Sequence, residues 1–173
     1  MSSVIHVSAQ GLQRLQDRLE AQRKSHAELC KEREIAHELS GDGWHDNPHF
    51  NYLQQMEANS TWKISELEGL INNARLFHVE EGHRPTTQVS LGSVVQYLLT
   101  DLESGEEREH TIEIVGYEES DPDQGRISYS APIGRALFGL TEGDGDEIQL
   151  PQGARFLEVI ELFASREAAG LSE

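Results

Sequence analysis

Two long stretches whose apolar residues recur at helical spacing, parted by one short segment rich in Gly and Asp, constrain this chain more than any other feature of its sequence. From about residue 8 to 39, Leu12, Leu15, Leu19, Leu29 and Ala36 follow a spacing of threes and fours among Arg, Gln, Glu and Lys, as an amphipathic helix requires. Ser8 is placed to cap it, and no Pro or Gly interrupts it between Leu12 and Ser40, so it extends roughly 48 Å. From about residue 48 to 77, Leu53, Glu57, Ser60, Ile64, Leu67, Ile71 and Ala74 alternate at four and three, which is a heptad seam. Neither helix buries its stripe alone, and a short connection returns the second antiparallel to the first. The spacing therefore predicts an α-helical coiled-coil hairpin over residues 1–82. Gln22, His26, Glu57 and Ser60 take seam positions nearer the turn, so the seam is expected to be apolar only at its base and the distal coil less tightly held.

The connection reads Gly41-Asp42-Gly43-Trp44-His45-Asp46-Asn47-Pro48. Gly41 and Gly43 stop the first helix, and Pro48 suits the first turn of the second. Two carboxylates, Asp42 and Asp46, at the end of a thin arm do little for stability and suit delivery into another macromolecule. By residue type alone the same Gly, Asp, Asn and Pro are equally ordinary turn formers. Trp44 is expected to be exposed, either capping the coil or wedging against a partner. Asp42, His45, Asp46 and His49 also admit a free-standing metal-binding or enzymatic protein, but Pro48 breaks the helical spacing of the two histidines. Cys30 reads as a small packing residue of the first helix and is given no role, because nothing in the sequence marks a base beside it.

Composition narrows the function classes. The 173 residues carry a net charge of −17, distributed as 9 basic and 13 acidic residues through Arg84, and 5 basic and 18 acidic beyond it. Autonomous DNA or RNA binding needs a basic stripe that is missing here. The acidity reads either as a docking surface for a basic protein or as a solvated surface. No apolar run approaches membrane-spanning length, so no membrane association is expected. The amino terminus lacks the pattern of a secretory signal, and a single cysteine makes no intramolecular disulfide, which together suit a reducing cytoplasm.

At Gly82-His83-Arg84-Pro85 the helical period gives way to short β-rich runs. Residues 93–100, 109–117, 126–130, 146–150 and 156–162 read as strands separated by Ser104-Gly105, Asp121-Pro122-Asp123 and Pro151-Gln152-Gly153. A short helix with Pro132 at its start and Gly139 at its end is predicted to cover one face of a small antiparallel sheet. The fold class is α+β: a hairpin over 1–82, a β domain over 86–165 and a tail over 166–173. The loops at Asp121–Gly125 and Gly143–Glu147 lack the full ligand pattern of a calcium loop and read as turns.

These residues together resemble the bacterial Gre family of transcript cleavage factors, and the resemblance covers nearly the whole chain. The family tip reads Gly-Asp-Leu-x-Glu-Asn-Ala-Glu-Tyr; here Gly41-Asp42 and Asp46-Asn47 hold the matching places with one residue added between them, and Phe50 stands where Tyr is usual. Ile127-Ser128-Tyr129-Ser130-Ala131-Pro132-Ile133-Gly134-Arg135-Ala136-Leu137 is similar to the family's Ile-Ser-x-x-Ser-Pro-Ile-Ala-Arg-Gly-Leu, with one residue added before Pro132. The resemblance implies an FKBP-like β domain that docks on RNA polymerase while the coil enters the secondary channel. It implies that Asp42 and Asp46 assist a polymerase-bound Mg²⁺ in cutting the 3′ end of backtracked RNA, with Gly41, Trp44 and Asn47 shaping the tip. The expected polymerase-binding residues are Pro132, Ile133, Arg135, Asp144 and Asp146. No metal or cofactor is expected in the isolated chain, which is expected to be a monomer and inert alone. No Lys or Arg lies between Arg33 and Lys63, so contact with RNA falls to His37, His45 and His49. A non-cleaving regulator that occludes the same channel remains the alternative. The β fold also raises prolyl isomerase activity, but fold does not confer function, and the sequence shows no aromatic-lined pocket.

Overall fold

The computed structural model describes residues 4–40 and 47–171. It divides the chain into two compact units, one built from Leu12–Ala74 and the other from Ile5–Gly11 together with the chain from Arg75 onward.

The first unit is the expected pair of helices, α1 (Ala9–Ser40, 32 residues) and α2 (Pro48–Asn72, 25 residues). Ser8 caps α1, its hydroxyl accepting the Gly11 N–H at 3.0 Å. The heptad positions turn inward: Leu15, Leu53, Ser60 and Leu67 are buried, and Leu12, Leu19, Glu57, Ile64 and Ile71 are half-buried. The expectation that only the base is apolar is corrected, because Ala36, Phe50 and Leu53 form a buried cluster with Leu29 at the other end. Phe50 continues the alternating seam one step upstream of Leu53, a position missed by starting the count there. The polar residues form a belt between two apolar ends: Gln22 Nε2 donates to Ser60 Oγ at 2.9 Å, and Arg33 pairs with Glu57. The second helix stops earlier than the predicted Phe77. The Asn73 side-chain amide and backbone N–H both bond the Gly69 carbonyl, closing the last turn.

The second unit takes in the amino-terminal strand β1 (Ile5–Val7), which pairs with β2 (Ala74–Leu76) in a two-stranded sheet. Hence residues 5–11, which the sequence assigns to the hairpin, belong with the β unit. Three-residue strands carry too little periodicity to be read in advance. The main sheet has the order β5-β4-β3-β7-β6. Its centre is β3 (Val94–Asp101), flanked by β4 (Glu107–Val115) and β7 (Gly153–Phe163); β6 (Gly145–Leu150) forms one edge and β5 (Arg126–Ser128) the other. All pairings are antiparallel except β4 with β5, a departure from the expected all-antiparallel sheet. The chain leaves β4 through a 3-10 turn at Pro122–Gln124 and returns in the same direction, which a tight hairpin cannot do. The short helix α3 (Pro132–Leu137) covers the core made by Val95, Tyr97, Ile112, Ile114, Leu157 and Val159, into which Leu137 is fully buried. Gly134 permits the approach: a Cβ there would lie 2.1 Å from the Ser128 carbonyl oxygen. Arg166, assigned by sequence to a tail, is buried and donates to Glu113 on β4 at 2.6 Å.

Candidate functional site

The acidic connection is flanked in sequence by described residues of α1 and α2 that pack on one another. Asn47 Oδ1 accepts the N–H groups of His49 at 2.9 Å and Phe50 at 3.3 Å, capping α2, and Pro48 occupies the first turn. Asn47, expected as a tip residue, is thus the N-cap that starts the returning helix. Phe50 packs with Ala36 of α1, and its ring lies 5.7 Å from that of His37. Gly41, Asp42, Trp44, His45 and Asp46 lie outside the described residues. Next to this end, Ile35 and Leu39 on α1 and Tyr52 and Met56 on α2 are exposed, each pair four residues apart and hence on one helix face. Large apolar side chains left in water so close together suit contact with a partner.

Midway along the hairpin, one ligand atom each from His26, Cys30 and Glu57 lie within 4.8 Å of one another. His26 and Cys30 stand one turn apart on α1, with Nε2 and Sγ separated by 3.6 Å, and Glu57 reaches them from α2. Arg33 Nε is 2.6 Å from Glu57 Oε2 but neither atom makes an aligned hydrogen bond, so the contact is an ion pair only. His26 Nδ1 is also buried without a hydrogen-bond partner among the described residues. Burial pushes the Cys30 thiol above its ordinary pKa, and the Glu57 carboxylate raises it further by its charge and by accepting a hydrogen bond. Sequence reasoning missed this group. The available signal was His26-x-x-x-Cys30 on a helix, opposite an acidic seam position.

On the β unit, α3 presents Pro132, Arg135 and Phe138, three residues apart and all exposed, while Ile133 packs onto the core. Phe138 is 44% exposed and sits 6.2 Å from the ring of Tyr129. The edge strand β6, against which α3 packs, carries Asp146, and the turn before it carries Asp144. Both carboxylates are exposed. Asp144 Oδ2 accepts the Thr141 hydroxyl at 2.7 Å and the Thr141 N–H at 2.9 Å, and these bonds hold its carboxyl below the usual range. Asp146 Oδ1 accepts the Glu147 N–H at 2.9 Å. Four of the five residues expected to bind polymerase therefore reach solvent, and Ile133 is half-buried against the core.

A family model described as "Transcription elongation factor, GreA/GreB, C-term" matches residues 84–162. The chain is similar to Transcription elongation factor GreA of Alkaliphilus oremlandii, 34% identical over 160 residues that cover 90% of this chain and 94% of the relative. It is similar to Transcription elongation factor GreA of a Nitratiruptor species, 33% identical over 153 residues, covering 88% and 89%. Among solved structures it is similar to Thermus aquaticus Gfh1, at 28% identity, with 94% of this chain and 99% of that chain covered and a TM-score of 0.41. Among the described residues no helix is long and apolar enough to cross a membrane.

Proposed function

Since the chain belongs to the GreA/GreB family of transcription elongation factors, we propose that it binds bacterial RNA polymerase, enters the secondary channel with its hairpin and stimulates the polymerase to cleave backtracked RNA. The observation that carries this reading is the closure of the hairpin beside the acidic connection, by Ala36, Phe50 and Leu53 on the inside and by the Asn47 cap at the start of α2. A pair of carboxylates in sequence between two helices packed on each other in this way suits presentation to a partner.

In that complex Asp42 and Asp46 act on the polymerase's metal. The donor chemistry fits, because Mg²⁺ takes hard oxygen ligands, binds through one or two carboxylates and fills its remaining positions with water and phosphate. When bound there, Mg²⁺ supplies an activated water and neutralises charge developing on the phosphodiester. The two aspartates would hold the ion and orient that water, and this chain would contribute no nucleophile of its own. It is an accessory factor of the polymerase, acting as a monomer in the bacterial cytoplasm. Pro132, Arg135 and Phe138, beside Asp144 and Asp146, form the docking face, with the aspartates turned to basic residues of the polymerase.

The test is RNA 3′ cleavage in stalled, backtracked complexes at saturating factor. Wild type shortens the RNA, whereas Asp42→Asn and Asp46→Asn each slow cutting at least about tenfold, equivalent to about 1.4 kcal/mol of barrier, while still competing for polymerase. Wild type that binds and only slows synthesis would replace this reading with channel occlusion.

A further inference from the structure

We propose that His26, Cys30 and Glu57 form a binding site for a zinc-class divalent ion that staples α1 to α2 in the middle of the hairpin. The isolated chain is expected from its sequence to hold no metal, and this group is the exception its packing creates.

The residue types are those zinc prefers: one imidazole, one thiolate and one carboxylate. The spacing also fits. Bonds of about 2.05 Å to nitrogen and 2.3 Å to sulfur, enclosing a tetrahedral angle, place those two atoms about 3.6 Å apart, and His26 Nε2 and Cys30 Sγ are separated by 3.6 Å. Glu57 brings its ligand atom within 4.8 Å of both from the opposite helix, so the group draws on both helices. Arg33 does not exhaust this carboxylate, since its contact is unaligned and a carboxylate has about four lone-pair sites. On binding, the Cys30 S–H proton passes to solvent. The thiolate and carboxylate then balance the two charges of the ion. All three side chains are only half-buried, which leaves an entry path and a fourth position for water.

The location gives the site a purpose. Here the seam is polar, with Gln22 and Ser60 on one side of the group and Arg33 with Glu57 within it. A coordinated ion would supply the interhelix attachment that apolar residues supply at the two ends.

Full-length reduced protein, freed of metal, is titrated with Co²⁺ and then Zn²⁺. One equivalent of Co²⁺ should bind with a thiolate-to-cobalt charge-transfer band that Zn²⁺ abolishes, and Zn²⁺ should raise the midpoint of helix unfolding followed by circular dichroism. Cys30→Ser should lose the band and the Zn²⁺-dependent rise while keeping its helix signal. Glu57→Gln should weaken binding at least about tenfold, a loss typical even of outer partners of a metal. The double variant Asp42→Asn with Asp46→Asn should keep the band, which separates this site from the tip. No charge-transfer band in wild type, or equal uptake by Cys30→Ser, overturns the proposal.

Discussion

Glu113 lies on β4 at 8% exposure, with Arg84 Nη1 2.9 Å from one carboxylate oxygen and Arg166 Nη1 2.6 Å from the other, and Arg126 Nε at 3.4 Å. Arg84 and Arg166 are themselves buried, and further partners satisfy them: Arg84 bonds Glu81 and the Gly92 carbonyl, and Arg166 bonds the Gln124 carbonyl. A buried ion pair adds little over an apolar core, but removing one member strands its partners as uncompensated charges. Glu113→Gln keeps the shape and removes the charge, so it should destabilise the β unit by about 3–5 kcal/mol in urea unfolding. A change below about 1 kcal/mol, the level of an exposed pair, would show that solvent screens this cluster. None of it was legible beforehand. Arg84 read as a boundary and Arg166 as a tail, and their shared partner stands 29 and 53 residues away in sequence. Asn47 was likewise read only as a tip residue, and its capping of α2 emerged from the structure.

Among the elements, the long helices were legible because a period maintained over many turns outweighs any single residue. What failed was the extrapolation from Gln22, His26, Glu57 and Ser60 to a loose distal coil. Phe50 supplies the apolar anchor there, at 4% exposure. Phe50→Ala should lower local stability of the distal hairpin by about 3–5 kcal/mol, the usual cost of emptying a buried aromatic site. Native-state hydrogen exchange would register this as faster exchange around Ala36 and Leu53, with amides near Leu67 unaffected. Equal acceleration at both ends would mean that the hairpin opens as one unit. The strands of the main sheet were read to within about three residues at their ends from their β-rich runs and turns. The parallel entry of β5 and the pairing of β1 with β2 were not, because both depend on which distant segments meet.

For the molecule as a whole, one family accounts for a helical hairpin with an acidic connection and a β unit bearing most of the negative charge. Asp42 and Asp46 were legible as candidates from residue type and position, and Pro132 and Arg135 from a short motif, whereas the exposure of Phe138 beside them was not. The His26, Cys30 and Glu57 group was not, since it takes two helices to assemble. The division of labour proposed here is that the β unit binds and the connection between α1 and α2 meets the polymerase's metal. The most direct test replaces that Mg²⁺ with Fe²⁺ in a backtracked complex and maps hydroxyl-radical cuts along this chain. Cuts confined to the segment between His37 and Phe50 are predicted; a bound chain that is cut only elsewhere, or not at all, would contradict it.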